Sequence, residues 1–203
     1  MKRTLQLAVV LSTACLSLAL ISGTAQAQKI DLAFGVSTPL APSANQNGPS
    51  LTGGAYPGFS GDVLFWHNLG FGAEVFWRAS QAQNYEDSGF NIRPVFYNFN
   101  AVYSAKIVPH VAAELVGGLG ALDNHVYACN GGVGACGGSV IVQSSNHFDV
   151  DFGGGLKLYA HGGFFVRPEA RFYWINNNTS SSGVNYSSSH ATRVGASIGY
   201  TFK

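Results

Sequence analysis

Between His190 and Lys203 the chain reads HATRVGASIGYTFK, and residue character alternates at nearly every step. Thr192, Val194, Ala196, Ile198, Tyr200 and Phe202 share one face of an extended strand, while Arg193, Gly195, Ser197, Gly199 and Thr201 share the other. Strand side chains alternate between faces with a period of two, so the stretch has one apolar face and one small or polar face. Such a strand belongs in a sheet with two chemically different sides. Taken alone, it suits a soluble sandwich as well as a barrel.

Seven earlier stretches repeat the alternation. Strands are predicted over about 30–38, 55–66, 71–81, 92–104, 109–121, 147–159 and 164–175, with the closing strand from His190. Their connections fall into two classes. His67-Asn68-Leu69-Gly70, Ala105 to Val108 and Ala160-His161-Gly162-Gly163 are short turns. Pro39 to Gly54, Ala82 to Asn91, Leu122 to Asn146 and Asn176 to Ser189 are long polar loops. Short and long connections alternate strictly, so every long loop lies at one end. Transmembrane barrels combine an even strand number, short periplasmic turns and longer extracellular loops on strands of about ten residues. The predicted fold class is therefore all-β: an eight-stranded antiparallel up-and-down transmembrane β-barrel.

The N-terminus sets the compartment. Lys2 and Arg3 precede an apolar run from Leu5 to Ile21, and Ala25-Gln26-Ala27 supplies a small-residue cleavage site. Residues 1–27 read as a signal peptide cleaved after Ala27, and residues 28–203 as the barrel domain. The mature chain of about 176 residues is long enough for one domain. After residue 27 no apolar run is long enough for a membrane helix. Loss of Lys2 and Arg3 takes the formal charge from +1 to about −1, which gives no basis for a nucleic-acid partner. Cys129 and Cys136 remain, and an exported pair reads as one disulfide.

Charge decides which face is inside. Asp31, Asp62, Glu74, Arg78, Glu114, Asp149, Asp151, Lys157, Arg167, Glu169, Arg171 and Arg193 all fall in the phase opposite the apolar rows. They are predicted to face the lumen, where mixed signs can pair. A soluble calyx would be the reverse. A charge facing lipid at mid-depth costs about 2–4 kcal/mol, a strong reason to keep one face uncharged. Arg93 breaks the rule only near a loop end, and Pro168 inside the seventh strand predicts a bulge. Trp66, Tyr103 and Phe202 are expected at the short-turn interface and Trp77 and Trp174 at the long-loop interface, as aromatic belts.

With FFVRPEARFYW and RVGASIGYTF in hand, the whole mature chain resembles the small eight-stranded bacterial outer-membrane barrels, the OmpA/OmpX-like and opacity-type porin-like group. The resemblance implies residence in the outer membrane of a Gram-negative-type envelope, contact with outer-membrane lipid, and a closing aromatic strand read by the barrel insertion machinery. That family usually ends on the aromatic itself, whereas here Lys203 follows Phe202.

An eight-stranded barrel has an interior that side chains can fill, so the inward charges are expected to plug it. No catalytic, cofactor-binding or metal-binding residue is predicted, and no cofactor. Gly132, Gly134 and Gly137 match a dinucleotide-type glycine pattern without its strand–helix context. His125, His147 and His190 lie near the loop end without ligand-like spacing. The expected role is non-enzymatic: a monomer meeting an extracellular ligand through its four long loops. Two alternatives are a narrow pore and an envelope lipid-modifying enzyme similar to lipid A deacylase. That enzyme's His-x-Ser-Asn motif is absent, although Ser145-Asn146-His147 and Ser189-His190 offer the same residue types.

Overall fold

The computed structural model describes residues 29–41, 51–79, 90–129, 139–176 and 189–203. The predicted signal peptide, Cys136 and the tips of the long loops lie outside the described residues, and with them the Cys129–Cys136 disulfide.

Eight strands follow in order: β1 (Lys29–Leu40), β2 (Tyr56–Trp66), β3 (Leu69–Trp77), β4 (Phe90–Val108), β5 (Val111–Cys129), β6 (Ser139–Tyr159), β7 (Phe164–Ile175) and β8 (His190–Phe202). Each pairs antiparallel with its sequence neighbour, and β8 returns to β1 to close the barrel. The closing seam runs from Ile30 opposite Phe202 to Leu40 opposite Thr192. Closure leaves the wall without the unpaired edge that an open sheet exposes.

The β2–β3 turn is tighter than its sequence implied. Leu69 already pairs with Trp66, leaving His67 and Asn68 as the whole connection. Their φ angles of 44° and 71° are both positive, as the type I′ hairpin requires, and that turn matches the right-handed twist of its strands.

Two expectations are corrected. The region from Leu122 to Asn146 is not one long loop: β5 continues to Cys129, β6 begins at Ser139, and the two remain paired throughout. β4 continues upward beside them, with Phe90 opposite Ala128. β6 has 21 residues against 9 for β3, a difference of roughly 40 Å of extended chain. The loop-end rim therefore carries a three-stranded extension above the common wall. Its polar residues, Asn124, Asn146 and Ser145 among them, resembled a loop because the stretch lacks the apolar alternation that marks the strands of the common wall.

Pro168 makes no bulge. It pairs in register with Ala196 of β8, and the register between β6 and β7 is the same on either side of it. Its missing N–H coincides with a gap in the β6 ladder, between Gly155–Glu169 and Leu158–Val166. The proline costs hydrogen bonds but leaves the residue count unchanged. Register shifts occur elsewhere, at Leu64/Trp66, Lys106/Val108 and Val126/Tyr127.

Candidate functional site: a layered lumen

Because the phase of the alternation is kept around the barrel, the inward side chains of eight strands converge on one axis. The structure places Asp31, Asp62, Glu74, Arg78, Glu114, Asp149, Asp151, Lys157, Arg167, Arg171 and Arg193 buried there, with Glu169 half-buried beside them. Lumen glycines provide the room. A Cβ on Gly72 would run into Asp62, and one on Gly118 would run into Asn100 and Asp151.

The charges form two joined clusters. Toward the short turns, Lys157 Nζ donates to Asp31 Oδ2 at 2.6 Å, contacts Glu114 and lies 3.8 Å from Asp62. Arg167 completes this group, 2.7 Å from Glu114 and 3.4 Å from Asp62, and donates to Ser60 and Ser197. Asp31, Asp62 and Glu114 present oxygens within 4.8 Å of one another, the arrangement of a cation cage. Here the cation at its centre is the protein's own Lys157 ammonium.

Toward the loops, Glu74 receives Arg171 at 2.9 Å, Arg193 at 3.0 Å and the Tyr173 hydroxyl at 3.1 Å. Arg171 also reaches Asp151 at 3.3 Å. Glu169 joins the clusters, lying 3.2 Å from Arg167 and 2.8 Å from Arg193. Asn100 donates to Asp151 and accepts from Arg171, both at 3.0 Å. A buried ion pair is tolerable when its geometry is good and its remaining lone pairs are satisfied, and this network meets most of that demand.

Two of the twelve charges stand apart. Asp149 accepts a hydrogen bond from Asn98 at 2.6 Å, and no ion pair joins it to Arg167, Arg171 or Arg193. Arg78 has neither Nε nor Nη1 hydrogen-bonded. Arg193 was expected to meet Asp31, Glu169 or Asp151; its partners are Glu74 and Glu169, while Asp31 belongs to Lys157.

The interior is not filled by charges alone; it also carries an apolar layer. Above the ionic layer, Phe76 and Phe96 stack at 4.4 Å, Tyr173 meets both edge-on, and Leu122, Ile175, Tyr56 and Leu51 complete an apolar layer. The Arg193 guanidinium lies 4.1 Å over the Phe76 ring, a cation–π contact that ties this layer to the charges. On the Asp62 side of the cage, Leu64, Val102 and Val116 form a smaller apolar cluster, Val102 lying with Asp62 over Gly72. A cavity of about 20 Å³ beside Arg167, Glu169 and Arg193 has room for roughly one water. The signal was present in the sequence, since Phe76, Phe96 and Tyr173 all fall in the charged phase at the loop end. Their shared height emerges only from strand register.

Loop-end polar groups add a smaller constellation. Ser145 Oγ lies 3.4 Å from His147 Nε2, His147 Nδ1 lies 3.2 Å from the Asn176 carbonyl, and Asn124 donates to Ser145 at 3.4 Å. Ser145, His147 and Asn124 are buried in the lumen phase. His125 lies on the outer face, 3.1 Å from Asp123, and His190 is exposed and stacked on Phe172, so the three histidines are not brought together.

The outer face is the chemical opposite. Leu32, Phe34, Phe59, Phe71, Phe99, Leu115, Phe152, Val166 and Ile198 are all exposed. Trp66, Tyr103 and Phe202 are exposed near the short turns, Trp174 near the loops, and Trp77 is half-exposed there against Phe59. Among the described residues, Arg93, Asp123, His125 and His190 are the outward Asp, Glu, Lys, Arg or His side chains on the strands, and all stand at the loop end. Arg93 is half-buried and donates to the Ala79 carbonyl at 3.4 Å.

Closed, all-antiparallel, charged within and apolar without, the chain has the fold of the small eight-stranded outer-membrane β-barrels. Neisserial surface protein A is similar over 86% of this chain and 97% of its own, with TM-score 0.53 and 14% identity. A major outer membrane protein from Thermus thermophilus matches 87% of this chain and 100% of its own, with TM-score 0.59 and 10% identity. The N-terminal β-barrel domain of Pseudomonas aeruginosa OprF matches 85% and 97%, with TM-score 0.51 and 10% identity. No protein-family model and no curated protein matches the sequence.

Proposed function

We propose that the protein is a non-enzymatic integral barrel of the bacterial outer membrane, with its loop end and three-stranded extension presented to the outside as the interaction surface. The carrying observation is the outward apolar wall. Phe99 is 75% exposed, Ile198 64% and Phe152 61%, and these large side chains lie on strands spread around the barrel. Monomeric soluble proteins rarely expose contiguous apolar patches above a few hundred Å². A hydrocarbon surround removes that cost, and closed barrels suit it because every backbone group in the wall is paired.

The aromatic layer favours a plug over a pore, since a hydrated ion would have to pass stacked Phe76 and Phe96 and then a four-cation network. The position of Ser145 and His147 favours a non-enzymatic role. They meet inside the lumen, on the side of the wall away from lipid acyl chains. The structural neighbours are outer-membrane and surface proteins, which supports the envelope location.

Membrane fractionation tests this reading. The mature protein should sediment with outer membranes and show heat-modifiable gel mobility; recovery as a soluble periplasmic protein would overturn it. Planar bilayers should show no large steady conductance. Mass spectrometry of lipid A should be the same with and without expression, and loss or gain of an acyl chain would establish the enzyme instead.

A further inference from the structure

The lumen's short-turn mouth carries a charge pattern unlike the rest of the interior. Lys29 on β1, Lys106 on β4 and Lys203 after β8 continue the inward phase occupied deeper down by Asp31, Ser104 and Thr201. With His110 from the β4–β5 turn they line a cavity of about 300 Å³, at the small end of the range for small-molecule sites. None of the side chains lining it is acidic. Buried Leu64 and Ala112 also line it, and Ala112 is the ladder partner of Lys157.

The contrast with Lys157 is informative. That lysine, in the same phase, contacts three carboxylates, whereas no salt bridge to a described residue engages Lys29, Lys106 or Lys203. A concave site with an excess of positive charge concentrates anions. Neutral donors complete it: Asn68, Ser104, and Tyr159, whose hydroxyl accepts from Thr201 at 3.4 Å and keeps its own proton to donate. Lysines bind phosphate as compact point charges without needing arginine's bidentate fork, and no arginine lines this mouth.

We propose that the short-turn mouth is a binding pocket for a soluble phosphate-bearing anion, held by Lys29, Lys106 and Lys203. The pocket opens along the barrel axis because its walls are inward-phase residues, so the ligand arrives from water and not from the bilayer. Lys203, beyond the closing aromatic, thereby acquires a role.

The test is calorimetric titration of inorganic pyrophosphate into the full barrel refolded in phosphate-free detergent, with folding checked separately by heat-modifiable mobility. Saturable binding that weakens with salt is expected, as is a loss of about tenfold or more in the Lys29→Gln, Lys106→Gln, Lys203→Gln triple variant. Arg93→Gln, at the opposite end, should bind as the parent does. Absence of saturable binding, or equal binding by the folded triple variant, would overturn the site. Affinity should be the same in phosphatidylcholine and phosphatidylglycerol nanodiscs; competition by the anionic lipid would overturn the axial, soluble-ligand assignment.

Discussion

The two faces of the same strands differ more sharply than any two segments of the chain. On β3 the inner face carries Glu74 and Phe76 and the outer carries Phe71 and Trp77. On β7 the inner face carries Arg167, Glu169 and Arg171, and the outer Phe164, Val166 and Trp174. In a water-soluble barrel the assignments would be exchanged. The difference teaches that each face meets its own solvent: ten of the twelve inner charges are neutralised by partners a few ångströms away. The wall outside holds large apolar side chains that touch one another, as Phe34 and Phe59 do, and leave much of their surface exposed.

If pairing is what makes the inner face tolerable, removing one partner there should have the largest effect. Lys157→Met leaves Asp31, Asp62 and Glu114 crowded without their cation. It should cost about 3–5 kcal/mol, measured by reversible urea unfolding of the refolded barrel in vesicles. Adding Glu114→Gln to that variant should recover part of the loss. The outer face is probed by Phe99→Arg, which puts an unpartnered charge on the exposed wall and should cost about 2–4 kcal/mol in the same assay. Tyr173→Phe keeps the packing against Phe76 and Phe96 but removes one donor from Glu74, a loss of about 2 kcal/mol. The smallest effect is expected at Arg78. Its Nε and Nη1 bond to nothing, so Arg78→Met should change stability by less than about 1 kcal/mol. Were Arg78→Met to cost as much as Lys157→Met, pairing would not be the property that separates the faces.

Legibility from sequence was uneven for physical reasons. β7 was read to the residue, because FFVRPEARFYWI sustains its alternation across the full wall and its ends are marked by glycine and asparagine. β5 and β6 are longer than their alternation implies because the buried positions of their upper halves are polar, Asn124 and Ser145 among them, which removes the apolar signal that periodicity relies on. Pro168 predicted a bulge from a rule about ladder donors, yet an interrupted ladder satisfies the same rule without an extra residue. The apolar layer was missed because alternation assigns a side chain to a face and not to a height.

What the sequence determined by itself was the period: eight alternating segments, the strict order of short and long connections, and which twelve charged residues share the inner phase. These are local properties, set by the two-residue repeat of an extended chain and by turn chemistry. Tertiary structure alone decided who meets whom. Lys157 is paired with Asp31 across 126 positions and Arg193 with Glu74 across 119, because barrel closure and strand register bring distant residues to one height on one axis. For the final strand, alternation sends Arg193 inward and Phe202 outward. Only closure against β1 converts that alternation into a sealed wall with a lysine-lined mouth.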